Sequence, residues 1–230
     1  MATSLGGAIQ DGAGNLIRAF LRLVAGDDSS PLQGRRPNDV TVTDGRIHLV
    51  DEPSVGETYI DILARHDLDE LSADGERNPQ AAGPSTEPSG SFAARFAEVR
   101  IDAELGLLRI ARIVSAVDGG RILNEKLARS QIIGGTVMGI GMTMLEETIF
   151  DAGTGRIANA TFGDYLIPVN ADVPDLDVVF VGKPDQVRPI GIKGLGEIGI
   201  IGVSAAIANA VYHATGRRIR SLPITIDQLL

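Results

Sequence analysis

The spacing of apolar positions predicts that the chain opens on a helix. Ile9, Ala13, Leu16, Ile17, Phe20 and Val24 fall on one face at intervals of three and four. Gly26-Asp27-Asp28-Ser29-Ser30-Pro31 then stops it. Val40-Thr41-Val42 and Ile47-His48-Leu49-Val50 flank Asp44-Gly45. That is a hairpin pattern, because the tight turn needs positive φ and Gly accepts it. Tyr59 to Arg65 predicts a short helix. The stretch 72–90, SADGERNPQAAGPSTEPSG, is rich in Pro and Gly with almost no apolar residues, and predicts a long loop or linker.

Beyond it, Phe92 to Ile101 and Leu107 to Val117 read as two strands around the turn Ala103-Glu104-Leu105-Gly106. A helix is expected over roughly Asn124 to Glu147. It carries Gly134, Gly135, Gly139 and Gly141, each costing about 1 kcal/mol relative to Ala. Close backbone packing, or a ligand lying against the helix, should offset that cost. Asp151-Ala152-Gly153-Thr154-Gly155 is a turn and Leu176 to Val181 a strand. A glycine-rich loop then leads to a helix from Ile198 to Thr215, with Gly216 as its cap. Strands interleaved with long helices give an α+β (mixed α/β) fold. The expected division is a partial acidic segment over 1–71, a linker over 72–91 and a domain over 92–230.

Charge sharpens this division. The 230 residues carry a formal charge of −9, and the whole imbalance sits in residues 26–91, which looks like a solvated, loosely built region ahead of a compact domain. An acidic balance argues against nucleic acid, whose phosphates need clustered Lys and Arg. The absence of Cys excludes disulfides, thiolate metal sites and a cysteine nucleophile in this chain. MATSLGGAIQDGAG has neither a basic nor an apolar leader region, and the longest apolar tract, Ile198 to Tyr212, is too short to span a bilayer. No membrane is expected and the cytoplasm is the default location, with export alongside a partner subunit to the periplasm as the alternative.

Gly191-Ile192-Lys193-Gly194-Leu195-Gly196-Glu197-Ile198-Gly199 is the stretch that points to chemistry. Such a loop entering a helix presents several N–H groups in one direction and suits an anion or a phosphate-bearing cofactor. Glu197 would stand at the helix start, where the dipole favours the carboxylate while burial raises its pKa. A carboxylate between those two pulls suits a general base. A Glu in a first helical turn is equally common for helix stability alone, and both readings stand on the residues. Gly194, Gly196 and Gly199 also fit the dinucleotide pattern G-x-G-x-x-G, which would make a nicotinamide-dependent oxidoreductase. That pattern here lacks a strand directly before it and an acidic residue about 20 positions later. A P-loop is excluded, since no Gly-Lys-Ser/Thr follows.

Several motifs in order carry a resemblance. They are Phe96-Ala97-Glu98-Val99, Arg121-Ile122-Leu123-Asn124, Gln131-Ile132-Ile133-Gly134-Gly135 through Gly139-Ile140-Gly141, Leu145-Glu146-Glu147, Asp164-Tyr165-Leu166-Ile167-Pro168 and Gly191 to Glu197. Together they resemble the C-terminal part of the molybdenum-binding subunit of the xanthine dehydrogenase / aldehyde oxidase family, bacterial multi-subunit type. The likeness is firm from about residue 91 and looser before it. The resemblance implies a molybdenum hydroxylase acting on aldehydes or N-heteroaromatic, purine-like substrates with water-derived oxygen. It makes Glu197 the general base. It also assigns cofactor contact to Gln131, Gly194, Leu195 and Gly196 and, by a looser match, to Ser4 and Gly6. The metal would be held by a molybdopterin-type cofactor, with the cytosine dinucleotide as one form, and by no protein side chain.

Implied partners are the remaining N-terminal part of the molybdenum subunit, an iron–sulfur subunit and an FAD subunit, through which electrons leave. A silent fragment acting as an assembly module is the competing reading. Two departures stand out: Glu125 follows Asn124 where the family commonly has Pro, and Arg95 replaces a usual Gln. His48, His66 and His213 are scattered and read as structural, while Met138, Met142 and Met144 read as core filling. Asp118-Gly119-Gly120 reads as a bend.

Overall fold

A computed structural model describes residues 2–76 and 89–230. The chain divides into two compact units, 1–86 and 87–230. Residues 77–88 of the expected linker lie outside the described residues.

The first unit begins with α1 (Ala2–Leu23). An antiparallel meander follows, β1 (Val40–Thr43), β2 (Arg46–Leu49) and β3 (Gly56–Thr58), leading into α2 (Tyr59–Arg65). Asp44 and Gly45 turn β1 into β2 with φ of 50° and 75°, the conformation the Asp-Gly pair favours. Thr58 caps α2 by accepting the Asp61 N–H at 3.1 Å. Phe20, Leu21, Val24, Leu32, Val40, Ile47, Leu49 and Ile62 form one buried cluster. The acidic stretch is therefore not loosely built, since its carboxylates sit outside a packed core drawn from both sides of residue 26. One carboxylate, Glu57, is buried, and the Arg65 guanidinium reaches it at 2.7 Å.

In the second unit β4 (Phe92–Asp102) and β5 (Leu107–Asp118) form a long antiparallel hairpin, and β8 (Asp175–Val181) lies parallel to β5. The crossover between the parallel strands carries α3 (Glu125–Met144) and a small hairpin, β6 (Phe150–Asp151) with β7 (Arg156–Ile157). Asn124 caps α3 by accepting the Leu127 N–H at 3.0 Å. α4 (Val203–Thr215) ends on Gly216, whose φ is 74°, and a short α5 (Ile226–Leu229) follows. Ile113, Ile140, Val203, Ile207 and Val211 bury the sheet against both long helices. The architecture is mixed α/β.

The glycines of α3 are largely explained by packing. A Cβ at Gly135 would stand 2.6 Å from the Gly199 backbone, one at Gly139 2.6 Å from Val203, and one at Gly141 2.7 Å from Pro168. Gly134 is different, because its missing Cβ faces open space. The methionines divide likewise. Met144 packs on the core. Met138 and Met142 do not fill it, being exposed on the outer helical face shared with Leu127 and Gly134.

Candidate active site

The glycine-rich loop starts as an extension of the sheet end. Gly191 O accepts the N–H of Arg121 at 2.8 Å, Ile192 bridges to Gly120, and Lys193 N–H donates to Gly119 O at 3.0 Å. Lys193 Nζ then reaches Asp118 Oδ2 at 2.6 Å, and both side chains are almost wholly buried. Asp118 also accepts the Gly120 N–H at 2.9 Å and fills the space where Gly182 lacks a side chain; a Cβ there would be 2.5 Å from Oδ1. Asp118 is thus more than a bend. A carboxylate ending an apolar strand was the signal for a buried partner, which stands 75 residues away.

Leu195 turns inward, packing against the cluster of Val117, Ile132 and Val178. Gly194 and Gly196 are exposed beside it. Among the described residues a Cβ on either would meet no atom within 4 Å, and neither has the positive φ that L-residues avoid. Neither conformation nor packing among the described residues requires glycine at these two positions. What the bare backbone permits is close approach of a group from outside, which fits an anionic cofactor laid along the loop.

Two polar side chains hold the loop. Gln131, on α3, donates through Nε2 to Gly196 O at 2.7 Å. Arg95, on β4, donates to Ile201 O at 2.9 Å, to Ile198 O, and to Ser115 Oγ opposite it across the sheet. Burial pulls the Arg95 guanidinium below the usual arginine range. Between these holds Gly199 presses on Gly135, so Gln131, Gly194, Leu195, Gly196 and Glu197 form one local assembly.

Glu197 itself departs from expectation. α4 begins at Val203, not Ile198, so Glu197 lies six residues before the helix, in a bend. Gly199 is pinned against α3, and Gly202 precedes α4 in a left-handed conformation with φ of 82°, so the helix cannot extend back through them. The helix-dipole argument therefore does not apply to Glu197, and its side chain is exposed rather than buried. Its backbone is fixed, with Glu197 O accepting the Ile200 N–H at 3.1 Å. The dinucleotide pattern fails on the same geometry, since β8 ends at Val181 and no strand–turn–helix unit carries Gly194, Gly196 and Gly199. Ser4 and Gly6 lie near the start of α1 in the first unit.

A family model described as the molybdopterin cofactor-binding domain matches residues 1–174. The match takes in the first 90 residues, where the resemblance had been looser. The chain is 46% identical over 141 residues to the aldehyde oxidoreductase molybdenum-binding subunit PaoC of Escherichia coli, covering 61% of this chain and 19% of that one. It is 30% identical over 233 residues to the 6-hydroxypseudooxynicotine dehydrogenase complex subunit gamma of Paenarthrobacter nicotinovorans, covering 97% and 28%. Quinoline 2-oxidoreductase of Pseudomonas putida 86 superposes with a TM-score of 0.73 at 27% identity, over 93% of this chain and 27% of that one. The chain spans under a third of the length of each. It belongs to the molybdopterin cofactor-binding domain family, and its relatives are named as molybdenum-binding subunits of aldehyde oxidoreductase and xanthine dehydrogenase.

Proposed function

We propose that this chain is the cofactor-binding portion of a molybdenum hydroxylase, with Glu197 as its general base. The observation that carries the reading is the loop at Gly194 to Glu197, where two glycines that the chain's own packing does not need flank the inward anchor Leu195. The molybdopterin-type cofactor, with the cytosine dinucleotide as one form, would supply a Lewis-acidic, redox-active metal beside that loop. The Gly194 and Gly196 backbones would lie along it, and Gln131 would fix the second of these through its hydrogen bond to Gly196 O. The Glu197 carboxylate would take the proton from a water-derived oxygen, and an exposed carboxylate on a fixed backbone is free to reach it.

Aldehydes and N-heteroaromatic, purine-like molecules are the substrate classes we assign. The names of the relatives support this range, running from aldehyde oxidoreductase to xanthine dehydrogenase. Ser4 and Gly6 in the first unit are assigned to cofactor contact on the looser part of the resemblance alone, and the cytoplasm is the assigned site of action. The remaining part of the molybdenum subunit, an iron–sulfur subunit and an FAD subunit are the proposed partners. Relatives named as subunits of larger complexes support this, as do Leu127, Met138 and Phe162, apolar side chains 67%, 62% and 84% exposed in this chain. Leu127 and Met138 share one outer face of α3, and adjoining outward apolar side chains mark surfaces that another polypeptide covers.

The test is Glu197→Gln in the assembled complex. Removing the base should lower turnover by a factor of about 100 or more while molybdenum content stays at the wild-type level. Turnover within a few-fold of wild type would reject Glu197 as the base.

A further inference from the structure

We infer that Arg95 is a positioning residue for Glu197, acting through the backbone turn that follows it; this rests on the reading of Glu197 as the base. Arg95 stands on β4 and its partners lie 103 and 106 residues away in sequence, at Ile198 O and Ile201 O. The first of these carbonyls lies inside the turn closed by the Ile200 N–H and Glu197 O, and the second directly after it. The guanidinium is itself tied to the sheet through Ser115 Oγ, and Ser115 is 1% exposed on β5. The clamp therefore joins the β4–β5 hairpin, through a buried side chain, to the residues directly behind Glu197.

The chemistry of the clamp favours arginine. Its planar fork carries five donors in a fixed geometry, so three acceptors in different directions can be held at once. A lysine has the charge but a single compact head. All three acceptors are neutral, and among the described residues no carboxylate pairs with Arg95. A half-buried cation without a counter-ion depends on the acceptors its donors hold to offset its desolvation. On the other side, Gly199 presses against Gly135, so the turn is gripped between sheet and helix. Loosening one side moves Glu197, since only two positions separate Gly199 from it.

The Ile200 amide reports the clamp directly. Arg95→Met keeps the stem and removes every donor, while Arg95→Lys keeps the charge and loses the fork. Hydrogen exchange on the full chain should show the Ile200 amide about ten- to a hundredfold faster in Arg95→Met, with a smaller increase in Arg95→Lys. In the assembled complex both variants should lower kcat more than they change KM, with molybdenum content unaltered. Combined with Glu197→Gln, Arg95→Met should cause no further loss, because it acts through that carboxylate.

Unchanged exchange at Ile200, full kcat in Arg95→Met, or additive losses in the double variant would each overturn the inference. Rescue of kcat by Arg95→Lys would do so as well, by reducing the role to charge. If Arg95→Met does not fold, Arg95→Lys decides by the same readings. High turnover in Glu197→Gln alone would instead defeat the base assignment, and the Ile200 exchange rates would still measure the clamp independently.

Discussion

Lys193 Nζ lies 2.6 Å from Asp118 Oδ2, joining the first residue before the glycine pair to the last residue of β5. The side chains are 12% and 7% exposed, so the pair is shielded from water and salt. Lys193→Met leaves Asp118 buried with only the Gly120 N–H as a described partner. Removing one member of a buried pair costs about 3–5 kcal/mol. Urea unfolding of the chain should show that loss in the transition of the second unit. Adding Asp118→Asn should recover part of it, since the uncompensated charge is then gone.

Adjacent glycines of α3 should respond oppositely to the same substitution. Gly134→Ala adds a methyl group into open space within a helix and should stabilise the unit by about 1 kcal/mol. Gly135→Ala drives a Cβ to 2.6 Å from the Gly199 backbone and should destabilise it by about 1–3 kcal/mol, displacing the loop. Thermal unfolding of the two variants side by side checks the change of sign.

The contrast shows what the sequence could and could not display. Local rules located the Asp44-Gly45 hairpin, the two long strands, α2 and the start of α3 near Asn124, because each depends on neighbours within a few residues. The three-residue β3 carries no alternation to read, and its Gly56 is there because a Cβ would stand 2.2 Å from Ile47 O. The start of α4 was misplaced since the apolar run from Ile198 looks helical until Gly199 is seen against Gly135. Lys193–Asp118 and Arg95–Ile198 span 75 and 103 residues, beyond any local pattern. Met138 and Met142 satisfied the apolar spacing of a core, yet they occupy an outward face of α3. Among the proposed contacts the loop residues were legible as a motif, and the grip on them was not.

Acid should act on the first unit through Asp27. The Ser29 hydroxyl and the Arg65 guanidinium hold its carboxyl down from 3.8 to about 2, against the upward pull of burial. A carboxylate with a depressed folded-state pKa stabilises the fold fully above its unfolded value, and that contribution disappears as pH falls through the folded one. Asp27→Asn should therefore lower stability at pH 7, and the difference from the parent should shrink between about pH 4 and pH 2. His66 Nε2, 3.4 Å from the same oxygen, loses its anionic neighbour in the variant. Unfolding followed by Tyr59, which stacks on Phe20 in this unit, reads the change. A difference independent of pH would remove Asp27 from the acid response.

The central claim is that this chain holds a molybdenum cofactor along the loop from Gly194 to Glu197. Its most direct test is molybdenum per chain, measured by elemental mass spectrometry on native complex captured through this protein, beside the same capture through Gly196→Val. The account predicts about one molybdenum per wild-type chain. The variant should have little metal and unchanged folding, because a Cβ at this position meets no atom within 4 Å among the described residues. Wild-type complex without molybdenum, or a Gly196→Val complex that retains it in full, would contradict the account.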